Sequence, residues 1–456
     1  MNSNKQTELL IIGGSDAGIS TALRARELNS DIRITIILAD QYPNLSICGI
    51  PYAISKEVPQ WENLAHRTLG DLEAYDLQFE MNTIVSKIDS DKQLVYASDS
   101  QGVESVFHYE DLMVGTGARP KTIPVEGDHK GVHVLRTMDD FFSIEDQLKD
   151  TRTQSVAIIG AGYVGLEVAE AITRLGLSAT VYQRGSEVLS TVEPEMGLIV
   201  HNELIEHGVE VVTNAKTNKI TNVDGKYYIQ NDNEKLHSQP YDMVICVIGV
   251  VPNSELLIDA GASVDSDSNA VIVNDAMQTN LQHVFAAGDL ATTKHRLLGN
   301  TYLPLGTTSH KQGRVAGANI VGKKSTFAGI VGSQVLRVFN LIVARTGILP
   351  TEAALADYNP ISVTHVVDDH KGYFPGAQQI TIILTADKET HKIIGAQLLG
   401  HESSEIAKRT DIFATAIYNQ MTIEDFSDLD LTYSPVVGAP WDAVQAVAQM
   451  LEKKLK

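Results

Sequence analysis

A thiolate is a nucleophile and a carrier of two electrons, and this chain of 456 residues has only two cysteines, Cys48 and Cys246. Cys48 stands in NLSICGIPYAI, downstream of the glycine-rich string Gly13-Gly14-Ser15-Asp16-Ala17-Gly18. A string of this kind between a strand and a helix seats the pyrophosphate of a dinucleotide. Gly13 permits the tight turn and Gly18 the close packing of helix on strand. The helix N-terminus turns its free N–H groups and positive dipole end toward the phosphates. Ser15 replaces the usual middle glycine, and its hydroxyl can donate to phosphate. Leu38 stands near where a ribose-binding carboxylate is expected, which leaves Asp40 as the nearest candidate. When such a fingerprint holds FAD, the loop after the second strand passes along the flavin, and a thiol there can exchange electrons with the ring. Cys246, inside the apolar run MVICVIG, reads as core packing.

A second fingerprint, Gly160-Ala161-Gly162-Tyr163-Val164-Gly165-Leu166-Glu167, is complete. At the end of the strand after it, where NAD sites carry an acid against the ribose hydroxyl, stand Gln183 and Arg184. An amide does not repel a 2′-phosphate and Arg184 can pair with one, so the pattern favours NADPH over NADH. Two such units imply two nucleotides.

The elements that position these residues alternate between strand and helix. ELLIIGG (8–14) reads as a buried parallel strand, followed by a helix over 17–29 and a strand in RITIILAD. The same grammar returns in SVAIIG, AGYVGLEVAEAITRLG and SATVYQ. EDLMVGTGARPKTIPV marks a return into the first unit, YDMVICVIGVVPNSEL closes the second, and HVFAAGDLA with TTSHKQGRVAGANIVG completes the first. The expected architecture is α/β: two Rossmann-like dinucleotide-binding domains, the second (121–275) inserted in the first (1–120 and 276–330). A C-terminal α+β dimerisation domain follows at 331–456. The length agrees with ~3 domains.

Lys plus Arg number 36 against 57 Asp plus Glu, a net charge of −21. Such a surface disfavours nucleic acid and anionic membranes, and an anionic ligand needs a local basic patch. Apolar runs fall far below the ~20 residues of a membrane span. The N-terminal segment lacks the layout of a signal peptide. Two distant cysteines suit neither a disulfide framework nor a metal site. A reducing, cytoplasmic setting is expected.

With SICGIPY (46–52), GTGARP (115–120), VIGVVPN (247–253), FAAGD (285–289), KGYFPGA (371–377) and LTYSPVVGAPWD (431–442) added to the two fingerprints, the whole chain resembles the two-dinucleotide-domain flavoprotein disulfide reductases. The resemblance is to their single-cysteine branch of coenzyme A disulfide reductases, NADH oxidases and NADH peroxidases. It implies FAD and NADPH or NADH as cofactors and a homodimer. It further implies that Asp289 binds the FAD ribitol, that Thr307 and Thr308 open a helix facing the flavin pyrimidine edge, and that Thr116 and Gly117 form the adenine-side turn. Tyr163 resembles the aromatic gate over the flavin, Glu167 the carboxylate beside the nicotinamide, and Gly249 the glycine of close approach there. Cys48 aligns with the redox cysteine. No second cysteine lies nearby, so its oxidised state must be a mixed disulfide, a sulfenic acid or a persulfide. A nearby oxidised flavin and a helix dipole would favour its thiolate.

In the oxidase and peroxidase group a histidine stands where this chain has Asp16. A carboxylate there repels an anionic sulfur species, which counts against peroxide chemistry. The disulfide reductases instead use tyrosines from the partner's C-terminal domain, which Tyr433 and Tyr373 match. Phe374 and Val437 depart from the commoner pattern. Arg24 and Arg26 resemble the segment that meets the phosphates of coenzyme A, with His66 and Arg67 as further contributors. The expected activity is NAD(P)H-dependent reduction of a small disulfide, coenzyme A disulfide first, with coenzyme A as a further ligand. The alternatives are an NADH oxidase or peroxidase, and a flavin-based redox sensor or electron relay to a protein partner.

Overall fold

Four consecutive buried residues, Leu9–Ile12, form the middle of a parallel sheet, and an unbroken apolar run is what a strand covered on both faces requires. The sheet order is Val284–Ala286, Asp111–Val114, Leu9–Ile12, Ile34–Ile37 and Leu77–Glu80, so a strand from late in the chain closes a sheet begun at its start. We describe residues 3–232 and 238–456 from a computed structural model.

The helix Asp16–Leu28, which opens at the first fingerprint, packs along the helix Gly306–Ile320. Small residues permit this closeness: a Cβ on Gly313 would collide with the Ala17 carbonyl, and one on Gly317 with that of Thr21. The approach sets the first turns of the two helices side by side.

The second unit is a parallel sheet of order Val132–Val134, Met243–Cys246, Ser155–Ile159, Ser178–Tyr182 and Glu210–Val212. The chain enters it through Ala118–Pro120 and leaves through Val250–Pro252, and these two strands pair antiparallel as a two-stranded neck. The return to the first unit comes earlier than the sequence pattern indicates. Leu257, Val271 and Val273 are already in the first core, ahead of residue 276, because their apolar side chains pack against that sheet.

The C-terminal unit is a five-stranded antiparallel sheet of order Gln334–Val338, Leu341–Gly347, Ile393–His401, Gln379–Asp387 and Pro360–Asp368. The helices Ile406–Tyr418 and Ala443–Leu455 pack on it. It is bolted to the second unit through charge: buried Glu170 accepts from Arg337 at 3.0 Å and from the Phe339 N–H at 2.7 Å. Among the described residues no helix is long and apolar enough to cross a membrane.

Candidate active site

Both fingerprints fold as the pyrophosphate turn demands. Gly13 and Gly160 take φ of +104° and +109°, the left-handed region that a side chain resists. A Cβ on Gly18 or Gly165 would strike the carbonyl oxygen of Gly13 or Gly160, so helix and strand meet at van der Waals distance. At Gly162 a Cβ would meet nothing within 4 Å, which leaves the space that a diphosphate needs. Ser15 is exposed at the N-cap of its helix, and its hydroxyl caps no N–H. It is free to donate.

The first cleft, of about 420 Å³, is lined by Gly13, Ser15, Leu38, Asp40, Thr116, Gly117 and Arg136. Asp40 accepts the Tyr42 N–H at 2.8 Å, and burial raises its carboxyl above the ordinary value. Asp289 pairs with Arg136 and accepts from the Ser309 hydroxyl at 3.3 Å. Thr307 and Thr308 lie in the first turn of the helix Gly306–Ile320, which has no side-chain cap. The Thr308 hydroxyl is buried without a partner, an open donor at a helix N-terminus. An anionic, hydrogen-bonding ring system fits there.

The second cleft, of about 550 Å³, is lined by Gly160, Gly162, Tyr163, Gln183, Arg184 and Gly249. Lys121, Arg136 and Lys216 line it as well, and among its described lining residues there is no Asp or Glu. In a chain of net charge −21 this is a local reversal of sign. Gln183 is buried and donates its side-chain amide to the Glu187 carbonyl at 3.1 Å, and Arg184 and Lys216 line the same cleft. Both clefts fit dinucleotides.

Cys48 lies in the turn Ile47–Gly49 that leads into the short helix Ile50–Ile54. Its loop is stitched to the first fingerprint by Asn44 N–H to the Gly14 carbonyl at 2.9 Å. A second seam joins it to the 64–66 segment, through Ser46 N–H to the Leu64 carbonyl at 2.8 Å and His66 N–H to the Asn44 carbonyl at 3.0 Å. Cys48 reaches solvent, yet protein surrounds most of it. Burial, with Glu167, Asp16 and Asp289 around it, raises the thiol, while Arg136 opposes them. The protein's own groups therefore work against the thiolate that the sequence reading expects. Burial is the largest cause, and the carboxylates add to it.

Two of those carboxylates have unusual surroundings. Burial lifts Glu167 to about 7, and its hydrogen-bond partner is the Tyr52 hydroxyl at 3.3 Å, which lowers it somewhat. Burial also raises Asp16, against the pull of two histidines. His310 Nε2 stands 3.4 Å from Asp16 Oδ1, and its Nδ1 is 2.8 Å from the Ser20 hydroxyl. His66 meets His310 edge-on, with ring centroids 6.1 Å apart. Tyr163 is largely enclosed, with burial raising its phenol and Thr191 beside it.

Comparison with known proteins decides the relationship. The family model described as pyridine nucleotide-disulphide oxidoreductase matches residues 7–313, and its dimerisation domain matches residues 333–443. The chain belongs to the pyridine nucleotide-disulphide oxidoreductase family. It is 29% identical over 97% of its length, and 98% of the relative's, to a CoA-dependent NAD(P)H sulfur oxidoreductase of Pyrococcus abyssi. It is 30% identical to an NADH oxidase of Methanocaldococcus jannaschii, over 98% of this chain and 99% of that protein. The solved NAD-dependent persulfide reductase from A. fulgidus superposes with a TM-score of 0.93 at 32% identity, covering 98% of this chain and 83% of that one. Proteins of this oxidoreductase family use FAD and NAD(P)H.

In the dimerisation domain of this oxidoreductase, Tyr433 and Tyr373 come from segments far apart in sequence and stand side by side. Lost solvation and Tyr373 raise the Tyr433 phenol. Both are exposed in the single chain, as are Val436, Val437 and Trp441. The arginines divide. Arg24 pairs with Glu27 at 2.8 Å, and Arg67 is exposed beside Asp71. Arg26 donates from its guanidinium to the carbonyls of Ser30, Tyr75 and Asp76, which ties its helix to the 75–76 turn. Cys246 is buried, its thiol pushed up to about 12, as core packing requires. Sequence reasoning missed Arg136, Lys216, Tyr52 and His310. Tyr52 carried a signal in its spacing from Cys48; the others carried none.

Proposed function

We propose that this chain is an NADPH-dependent reductase of a small disulfide, coenzyme A disulfide or a related persulfide, that works as a homodimer through Cys48. One observation carries the reading. Cys48 is the sole thiol open to solvent, and Cys246 is locked in a strand core, so the sulfur that pairs with Cys48 must come from the substrate. FAD in the first cleft, when bound, supplies the two-electron step between nicotinamide and sulfur. Arg184 and Lys216 hold the third phosphate of NADPH. Glu167 and Tyr52 border the nicotinamide end.

The Cys48 thiolate attacks one sulfur of R–S–S–R. A bond forms from Cys48 to that sulfur, the S–S bond breaks, and the departing thiolate takes a proton from Tyr433 of the partner subunit. The CoA-dependent sulfur oxidoreductase and the persulfide reductase among its relatives support this substrate class.

The test is anaerobic NADPH consumption with coenzyme A disulfide, compared with oxygen and peroxide as acceptors, alongside mass spectrometry of Cys48 as isolated. A coenzyme A adduct and disulfide-dependent turnover support the reading. A sulfenate, with oxygen or peroxide preferred, overturns it. That second reading, oxidase or peroxidase, has its own support in the imidazole of His310 beside Asp16, which restores a histidine near where the sequence shows only a carboxylate.

A further inference from the structure

From the edge strand Gln334–Val338 of the C-terminal sheet, Arg337 reaches both other units of the chain. Its Nη2 donates to the two carboxylate oxygens of Glu57, at 2.8 and 2.7 Å, and to Glu170 Oε1 at 3.0 Å. Glu57 follows the short helix Ile50–Ile54 that comes after Cys48, and Glu170 is buried on the helix Tyr163–Arg174. The guanidinium carbon lies over the Tyr52 ring, 5.3 Å from its centroid. At the tip of that ring the hydroxyl donates to Glu167 Oε1 at 3.3 Å.

Spacing along the two helices makes this a clamp. Glu167 and Glu170 are three residues apart and share one face of their helix. Glu170 is itself fixed, accepting from Arg174 Nε at 2.9 Å and from the Phe339 N–H at 2.7 Å. Two carboxylates therefore pin the guanidinium, and a pinned flat cation against an aromatic face restricts the ring. Among the described residues Glu167 has no hydrogen-bond partner besides that Tyr52 hydroxyl. The other ionisable groups of the packed elements are Cys48, Arg174 and the Lys56–Glu145 pair.

We infer that Arg337 is a positioning residue of the nicotinamide step: pinned by Glu57 and Glu170, it holds the Tyr52 ring so that the hydroxyl stays on Glu167. The inference rests on the placing of Glu167 and Tyr52 at the nicotinamide end. As NADPH gives up hydride to the flavin, its neutral dihydropyridine becomes a pyridinium cation. A carboxylate held in place beside that ring stabilises the new charge.

The experiment is a double-mutant cycle on the flavin-containing enzyme. Arg337→Lys keeps the charge and loses the flat face, and Tyr52→Phe keeps the ring and loses the hydroxyl. Two quantities are measured: the rate of flavin reduction at saturating NADPH after rapid mixing, and the infrared carboxyl titration of Glu167, assigned by its loss in Glu167→Gln. Arg337→Lys should slow flavin reduction about 10-fold, change the NADPH dissociation constant less than about threefold, and raise the Glu167 midpoint by about 0.5 unit. In the Tyr52→Phe background the same substitution should slow reduction less than about twofold and leave the midpoint in place, because no hydroxyl remains to be held. Effects of equal size in both backgrounds overturn the inference, as does no effect in either. If Tyr52→Phe alone changes neither quantity, the placing of Tyr52 and Glu167 fails and the inference falls with it.

Discussion

The Tyr52 hydroxyl donates to Glu167 Oε1 at 3.3 Å, tying the helical turn that follows Cys48 to the helix that opens the second nucleotide cleft. Arg337, from the C-terminal domain, lies over the Tyr52 ring, its guanidinium carbon 5.3 Å from the ring centroid. Its charge is already shared between Glu57 and Glu170. Glu167 is thus buried with a phenol for a partner, and with no cation bonded to it.

That arrangement fixes a pH dependence. Glu167 titrates at about 7 because burial disfavours its charge, and the Tyr52 hydrogen bond is what restrains the rise. Tyr52→Phe should move the near-neutral inflection in the pH profile of kcat/KM for NADPH upward by about 0.5–1 unit. An inflection that stays in place removes Glu167 from the nicotinamide step.

The same residue weighs on stability. Its folded value is raised above the ordinary 4.5, so between 4.5 and about 7 the native state holds a proton that the unfolded chain has lost. Stability therefore falls as pH rises through that window and stays lower above it. Glu167→Gln should unfold at higher urea at pH 8, by on the order of 2 kcal/mol, and match wild type near pH 4. A gain of equal size at both pH values would point to packing instead.

The proposed preference for NADPH is testable at two cations of the second cleft. Arg184→Ala and Lys216→Ala should each raise KM for NADPH roughly 10-fold, about 1.4 kcal/mol, and leave KM for NADH nearly unchanged. Steady-state kinetics with both nucleotides decides it. Parallel losses with the two would show that these cations serve the shared diphosphate.

Asp16 is among the groups that raise the Cys48 thiol. Asp16→Asn should bring that thiol down, so that iodoacetamide alkylates the reduced enzyme faster at pH 7 and the rate reaches its plateau at lower pH. The rate–pH curve of alkylation, with peptide mapping to Cys48, measures this directly. A curve that shifts the other way would show that His310 and His66, freed of their carboxylate, leave the thiol worse solvated.

The two nucleotide turns were legible because their cause is local. A φ beyond +100° at Gly13 and Gly160, and helix–strand contact at Gly18 and Gly165, are steric demands that only certain residues at fixed offsets meet. The α/β order, the inserted second unit and the placement of Cys48 after the second strand follow from the same short-range rules. Arg26 shows the complementary limit: its type and helix position suggest a phosphate contact, while the carbonyls of Tyr75 and Asp76 that it meets are brought to it by the fold.

What sequence could not supply is electrostatics through space. His310 reaches Asp16 because two helices, separated by most of the chain, cross at small residues. Arg136 faces both clefts from a stretch without a motif, and Lys216 joins Arg184 only once the strand Glu210–Val212 has paired beside Ser178–Tyr182. Residue types fixed which turns and strands the chain makes. The folded packing decided which charges share a low-dielectric space, and therefore which groups carry protons around Cys48.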